Sequence, residues 1–237
     1  MTFKLEGARG VLPVTIGIGG KDGMALPLVK EGAHLPASYR RVFTTTESFQ
    51  MSAYLHLLLG SRPMAQDNYT LCIIRHAAGA FQSAGNPRYE LRLKVDGKGR
   101  IEVSTRNLDR KVGQDTSVIT YESDSIASAF IKQLRVDAAE HAADDTRLKE
   151  RYGRLDTTRC KVNRLHSEVW PIAKKKMSLF EKHGYRQCRK NLLAIVADGP
   201  SKLQDGAADR LQVLLEELAS WEKLLDDRSR QVMAWYR

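Results

Sequence analysis

The chain has 237 residues, 42% of them hydrophobic and 28% charged, a balance that suits a soluble globular protein of one large domain or two smaller ones. Its net charge of +10 and pI near 9.6 favour acidic partners, yet charge specifies neither a fold nor a site. Cys72, Cys160 and Cys188 are too few and too scattered for a disulfide framework or a zinc site, residues 1–10 lack the apolar core of a signal peptide, and no apolar run is long enough to span a membrane.

Strand patterns fill the chain to about residue 121. Val14-Thr15-Ile16-Gly17-Ile18, a glycine-rich turn at residues 19–23 and Met24-Ala25-Leu26-Pro27-Leu28-Val29 read as a hairpin. A second hairpin is expected where Tyr39-Arg40-Arg41-Val42-Phe43 and residues 53–59 flank the short polar loop Thr46-Glu47-Ser48. Gly60-Ser61-Arg62-Pro63 is a turn signal, and Tyr69-Thr70-Leu71-Cys72-Ile73-Ile74 is the next strand. Arg88-Tyr89-Glu90-Leu91-Arg92-Leu93-Lys94-Val95 alternates polar with apolar, turns at Asp96-Gly97-Lys98-Gly99, and returns through Arg100-Ile101-Glu102-Val103-Ser104. A last strand is expected at residues 117–121. Short strands at such regular spacing predict a β-sandwich.

Helical signals take over at Ser123, Asp124 and Ser125, each a good N-cap, followed by Ile126, Phe130, Leu134 and Ala138 at helical spacing. Breaks are expected at Trp170-Pro171, His183-Gly184 and Asp198-Gly199-Pro200. Leu211, Leu214, Leu215, Leu218, Trp221, Leu225 and Val232 form the apolar stripe of a final helix. The expected fold is therefore α+β, with an antiparallel β-sandwich over residues 1–121 and a helical subdomain over residues 122–237.

No catalytic or metal-binding constellation emerges. The glycine-rich turn at residues 17–23 lacks the Gly-Lys-Ser/Thr ending of a phosphate loop and leads into a strand. His56, His76 and His166 stand at no ligand spacing, and no nucleophile has a base within argument's reach. The expectation is a protein that is not an enzyme and carries no cofactor or metal. Lys174-Lys175-Lys176, with Arg186, Arg189 and Lys190, is the best candidate polyanion patch, with a solvated helix face as the commoner reading of such a run.

Several motifs, in order, resemble the substrate-binding domain of the heat-shock protein 70 (DnaK-like) chaperones. Val14-Thr15-Ile16-Gly17-Ile18 is similar to the family's first groove strand, and Pro27-Leu28-Val29 with His34-Leu35-Pro36-Ala37 to the passage after it. Arg41-Val42-Phe43-Thr44-Thr45 resembles the family's Gln-x-Phe-Ser-Thr. Leu57-Leu58-Leu59-Gly60-Ser61-Arg62-Pro63-Met64-Ala65-Gln66-Asp67-Asn68-Tyr69-Thr70-Leu71 resembles its Val-x-Gln-Gly-Glu-Arg-x-x-Ala-x-Asp-Asn-x-x-Leu, and residues 96–104 resemble its Asp-x-Asp/Asn-Gly-Ile-Leu-x-Val-Ser. In the helical half only Val136-Asp137-Ala138-Ala139-Glu140 carries any likeness.

The resemblance implies a groove that binds extended apolar segments of unfolded client proteins under a helical lid. By position its wall is Ile16, Ile18, Met24, Phe43, Ala53, Leu55, Ile74 and Tyr89, arched over by Lys21 and Thr46. The arch residues are usually apolar, the Ala53 position usually valine and the Tyr89 position usually isoleucine; a lid-latching arginine is replaced by Ala84. These departures imply an altered peptide preference and a weaker latch. ATP would require an ATPase domain that is separate or missing, since the chain begins ten residues before the match. The expected setting is the cytoplasm, with clients, an ATPase domain in cis or trans and co-chaperones as partners, and no membrane. The alternative is a protein-interaction or nucleic-acid-associated adaptor that uses the basic helical half.

Overall fold

The alternating segments become strands in a computed structural model that describes residues 1–20, 22–45, 48–77, 83–109, 117–203 and 205–234. Two compact units result, Met1–Ala143 and Asp144–Arg237. The α+β expectation is met: two sheets in the first unit, helices in the second.

Ten strands build the first unit: β1 Thr2–Leu5, β2 Ile16–Gly19, β3 Ala25–Val29, β4 Ala37–Thr44, β5 Ser52–Leu59, β6 Tyr69–Ala77, β7 Arg88–Val95, β8 Arg100–Asn107, β9 Ser117–Thr120 and β10 Ser125–Ile126. One sheet runs β10-β1-β8-β7-β4 and the other β3-β2-β5-β6-β9. Among these strands every pairing is antiparallel except β1 with β10. Side chains alternate across a strand, so each sheet keeps one apolar face, and the two faces bury Phe3, Leu5, Ile16, Leu57, Leu59, Ile74, Leu91, Leu93 and Ile101 together.

Two elements of the first unit differ from the sequence expectation. The passage from β4 to β5 is not a hairpin: β4 pairs with β7 along its whole length, whereas β5 pairs with β2 and β6. The chain changes sheets there, because a polar loop marks a reversal without specifying a partner. The second difference is β1 and β10. Ser125 is spent on a parallel bridge to Lys4 rather than on a helix cap, and helix α1, Ser128–Glu140, starts from Ala127 with no side-chain cap. Ile131 of α1 then packs into the sandwich core, while Phe130 meets Tyr69 edge-on with centroids 5.0 Å apart. For this reason α1 belongs to the first unit although the composition turns helical earlier.

The β7–β8 turn forms as expected. Asp96 Oδ1 accepts the Lys98 and Arg100 amides, each at 2.8 Å, and Gly99 takes φ 78° where a Cβ would lie 2.4 Å from that of Ala8.

The second unit holds α2 Ala142–Arg164, a π-turn at Leu165–Val169, the short α3 Trp170–Ala173, α4 Leu179–Asp198 and α5 Asp205–Met233. Pro171 does not break this run, because it sits at the start of α3 where a missing amide costs nothing. The break falls later, at Met177-Ser178, where Ser178 and Glu181 form a reciprocal capping box. His183-Gly184 is no break either. Gly184 lies within α4 because Trp221 of α5 packs there, and a Cβ would come within 2.6 Å of its ring. The expected end at Asp198-Gly199-Pro200 does occur, with Gly199 at φ 82°. Leu211, Leu218, Leu225 and Val232 are buried at seven-residue intervals along α5.

Candidate functional site

Where the two sheets part at one end, a cleft of about 700 Å³ opens in the first unit. Its apolar floor comes from both sheets: Ile18, Ala53 and Leu55 from β2 and β5, Phe43 and Tyr89 from β4 and β7. All but Phe43 are buried from solvent. Phe43 and Tyr89 are register partners across the β4–β7 ladder, so neither can shift without its neighbour.

Tyr89 is held from behind. Its ring lies 4.5 Å from that of His76, whose Nε2 is 2.9 Å from Thr105 Oγ1. The Arg41 guanidinium stands 5.7 Å from the Phe43 ring centroid, within cation–π range. Across the cleft, His56 Nε2 lies 2.7 Å from Thr70 Oγ1, and burial pulls the imidazole below its ordinary pKa.

One edge is backbone. Gly19, Gly20 and Gly23 line it, and the turn they form is fixed by the Ala25 amide donating to Pro63 O at 2.7 Å and the Ala65 amide to Gly23 O at 2.8 Å. Asn68 holds that outer loop in turn. Its Nδ2 donates to Arg62 O at 2.9 Å and Met64 O at 2.6 Å, and its Oδ1 accepts the Arg62 amide at 3.1 Å. Phe49 and Met51 on the β4–β5 passage, and Tyr54 of β5 in the cleft lining, stand 60–67% exposed.

Of the residues singled out from the sequence, Ile18, Phe43, Ala53, Leu55 and Tyr89 line this cleft together. Ile16 and Ile74 are fully buried between the sheets and Met24 is turned to a bridge with Met64; none of the three lines it. Lys21 and Thr46 lie outside the described residues. Leu26, Arg41, Tyr54, His56, Met64 and Gln66 join the lining without having been singled out. Met64 and Gln66 carry a readable signal, since they fall inside the longest motif match. Ala84 sits in the loop before β7, its amide donating to Ser48 Oγ at 3.2 Å.

Chemically, the cleft offers apolar surface, a glycine edge and a cation. Among the described residues its lining has no carboxylate, and no cluster of His, Cys, Asp and Glu could hold a metal ion. Burial pushes the Cys72 and Cys188 thiols up to about 12, which leaves them inert. Among the described residues no helix is long and apolar enough to cross a membrane.

Comparison with known proteins points to the family that the motifs resemble. The family model described as Hsp70 protein matches residues 8–222. The chain is 27% identical over 212 residues to the chaperone protein DnaK of Thermus thermophilus, in each of two strains, covering 88% of this chain and 32% of the relative. It is 23% identical over 209 residues to the chaperone protein DnaK of Thermoplasma volcanium, again with 88% and 32% coverage. The chain thus spans about a third of the length of these relatives. The match also overturns the expectation of a protein that is not an enzyme, because the Hsp70 family is one of ATP-hydrolysing chaperones. A search for catalytic side chains in this stretch could not have shown that. By the extent of the family match, the chain belongs to the Hsp70 protein family.

Proposed function

We propose that the first unit is the client-holding part of an Hsp70-type chaperone, taking an extended apolar segment into the cleft between β2, β5, β4 and β7. One observation carries this reading: strand ends from both sheets supply an apolar floor beside a glycine edge free of side chains. An extended peptide meets such an edge through its backbone, while one apolar side chain fills the floor. Backbone contacts make the binding sequence-tolerant, and Ala53 leaves room that Tyr89 partly takes back. The helical unit, in the lid's place in chain order, slows client release in this proposal. Co-chaperones and an ATP requirement come with the same proposal.

The test is binding of a fluorescent apolar peptide, with and without ATP, by the chain and by Phe43→Asp and Leu55→Asp. Each charge placed on the floor should weaken binding by about tenfold or more. Thermal melts of both variants show whether the unit still folds, and Phe43→Ser, at a half-buried position, provides a milder second probe. Unchanged affinity in folded variants would remove the cleft from the account.

A further inference from the structure

The outward face of the sheet β10-β1-β8-β7-β4 has a composition that the cleft does not explain. Its outward positions on β4, β7 and β8 include Arg40, Arg92, Lys94, Arg100 and Arg106, with Glu90 and Glu102 between them. Arg40 lies opposite Arg92, and Glu90 opposite Arg106. Like charges directly opposite one another destabilise a sheet unless a counter-charge lies between them.

Glu90 organises the centre. Its side chain is 1% exposed, while those of Arg40, Arg92 and Arg106 are 67%, 48% and 54% exposed. Arg40 Nε donates to Glu90 Oε1 at 2.6 Å, Arg92 Nε to Oε2, and the Arg106 guanidinium stands 3.9 Å away. Burial disfavours the Glu90 anion, but the hydrogen bonds from Arg92 and Arg40 outweigh it and hold the pKa below its ordinary value. One fixed carboxylate therefore holds two guanidiniums by hydrogen bonds with a third nearby, and carries charge enough to neutralise only one of them. Beside it, Glu90, Arg92, Ser104, Thr105 and Arg106 line a shallow concavity of about 180 Å³.

We propose that this face docks an acidic segment of a partner protein, with carboxylates over Arg92, Arg106 and their cationic neighbours. Outward side chains recur about every 6.7 Å along a strand and about 4.8 Å between strands, a lattice that matches side chains of an extended or helical acidic segment. Arginine forks suit carboxylates in particular. The partner is a protein and not a nucleic acid, because the outward positions of β1, β4, β7 and β8 hold no aromatic ring on which a base could stack.

The experiment measures binding of the whole chain to a fluorescent glutamate-rich peptide, a lysine-rich peptide of equal length, and a single-stranded RNA. The expected result is salt-sensitive binding of the acidic peptide alone. Arg92→Gln with Arg106→Gln should weaken it by about tenfold. Lys94→Glu with Arg100→Glu, which leaves the Glu90 pairs intact, should weaken it as well and covers the case in which the first variant misfolds. Apolar peptide bound in the cleft should be unaffected by either pair, so this proposal and the cleft reading fail separately. No acidic-peptide binding at low salt, tighter binding of the RNA, or wild-type affinity in folded Lys94→Glu/Arg100→Glu would each overturn it.

Discussion

The two units bury their apolar cores by opposite routes. In the first, core partners come from distant parts of the chain: Phe3 lies opposite Ile101, and Ile18 opposite Leu57. In the second, one helix supplies Leu211, Leu218 and Leu225, each fully buried, from a single repeating stripe. A sheet core assembled from remote strands leaves irregular ends where strands from both sheets stop, and the cleft is one such end. A bundle core is closed by a regular stripe along its length, and the apolar cleft described above lies in the first unit. Non-local pairing also folds more slowly than local helix contacts. Together these differences place the cleft in the unit whose order depends most on the whole chain.

The largest effect that could break this comparison is core truncation. Leu93→Ala in the first unit and Leu218→Ala in the second should each cost about 2–5 kcal/mol. Denaturant unfolding followed by tyrosine and tryptophan signals should show each change moving its own transition, since the three tryptophans all lie in residues 144–237. One shared transition shifted equally by both would show that the units do not unfold separately. Next in size is Gly184→Ala, expected to destabilise the helical unit by about 1–3 kcal/mol despite alanine's better helix propensity, because its Cβ must enter the space of the Trp221 ring. A stabilised variant in a thermal melt would show that Trp221 can move aside.

The smallest effect concerns acid. The hydrogen bond from Arg228, followed by the Ser178 amide, holds Glu181 at about 2 against an ordinary 4.5. A lowered carboxylate pKa stabilises the fold fully above the unfolded value and loses that contribution as pH falls from 4.5 toward 2. Burial, with Arg189, Arg186 and Lys174 nearby, keeps His166 below 6.5, so the helical unit also weakens as pH drops through that value and the unfolded chain takes up the proton first. The helical melting temperature should therefore fall with acidification, and Arg228→Gln should flatten the part of that slope below about pH 4.5 while sparing the first unit. An unchanged slope would remove Glu181 from the acid response.

Much of this contrast could be read from residues. The alternation of β7 and β8 and the stripe of α5 were legible because each is decided by its own period. The sheet switch after β4 was not, because pairing partners are chosen across the whole sandwich and the local loop is silent about them. Gly184 reads as a breaker in sequence but serves as a contact point, a role visible only once Trp221 is beside it. In the cleft, Ile16 and Ile18 share a strand face, yet only the residue at the strand end reaches the opening; period alone cannot tell depth along a strand. The arginine face is written in the same alternation as the core, as the polar half of the pattern, and passes for an ordinary solvated surface until Glu90 is seen to be buried.

The sheet switch has one more consequence. Because Phe43 and Tyr89 belong to one sheet and Ala53 and Leu55 to the other, the cleft is a gap in the sandwich's own seam. An apolar side chain seated there would act as a missing core residue delivered from outside, bridging the two layers where they part. Occupancy and fold stability would then be one quantity, and the first unit should melt later the more snugly its guest completes the seam.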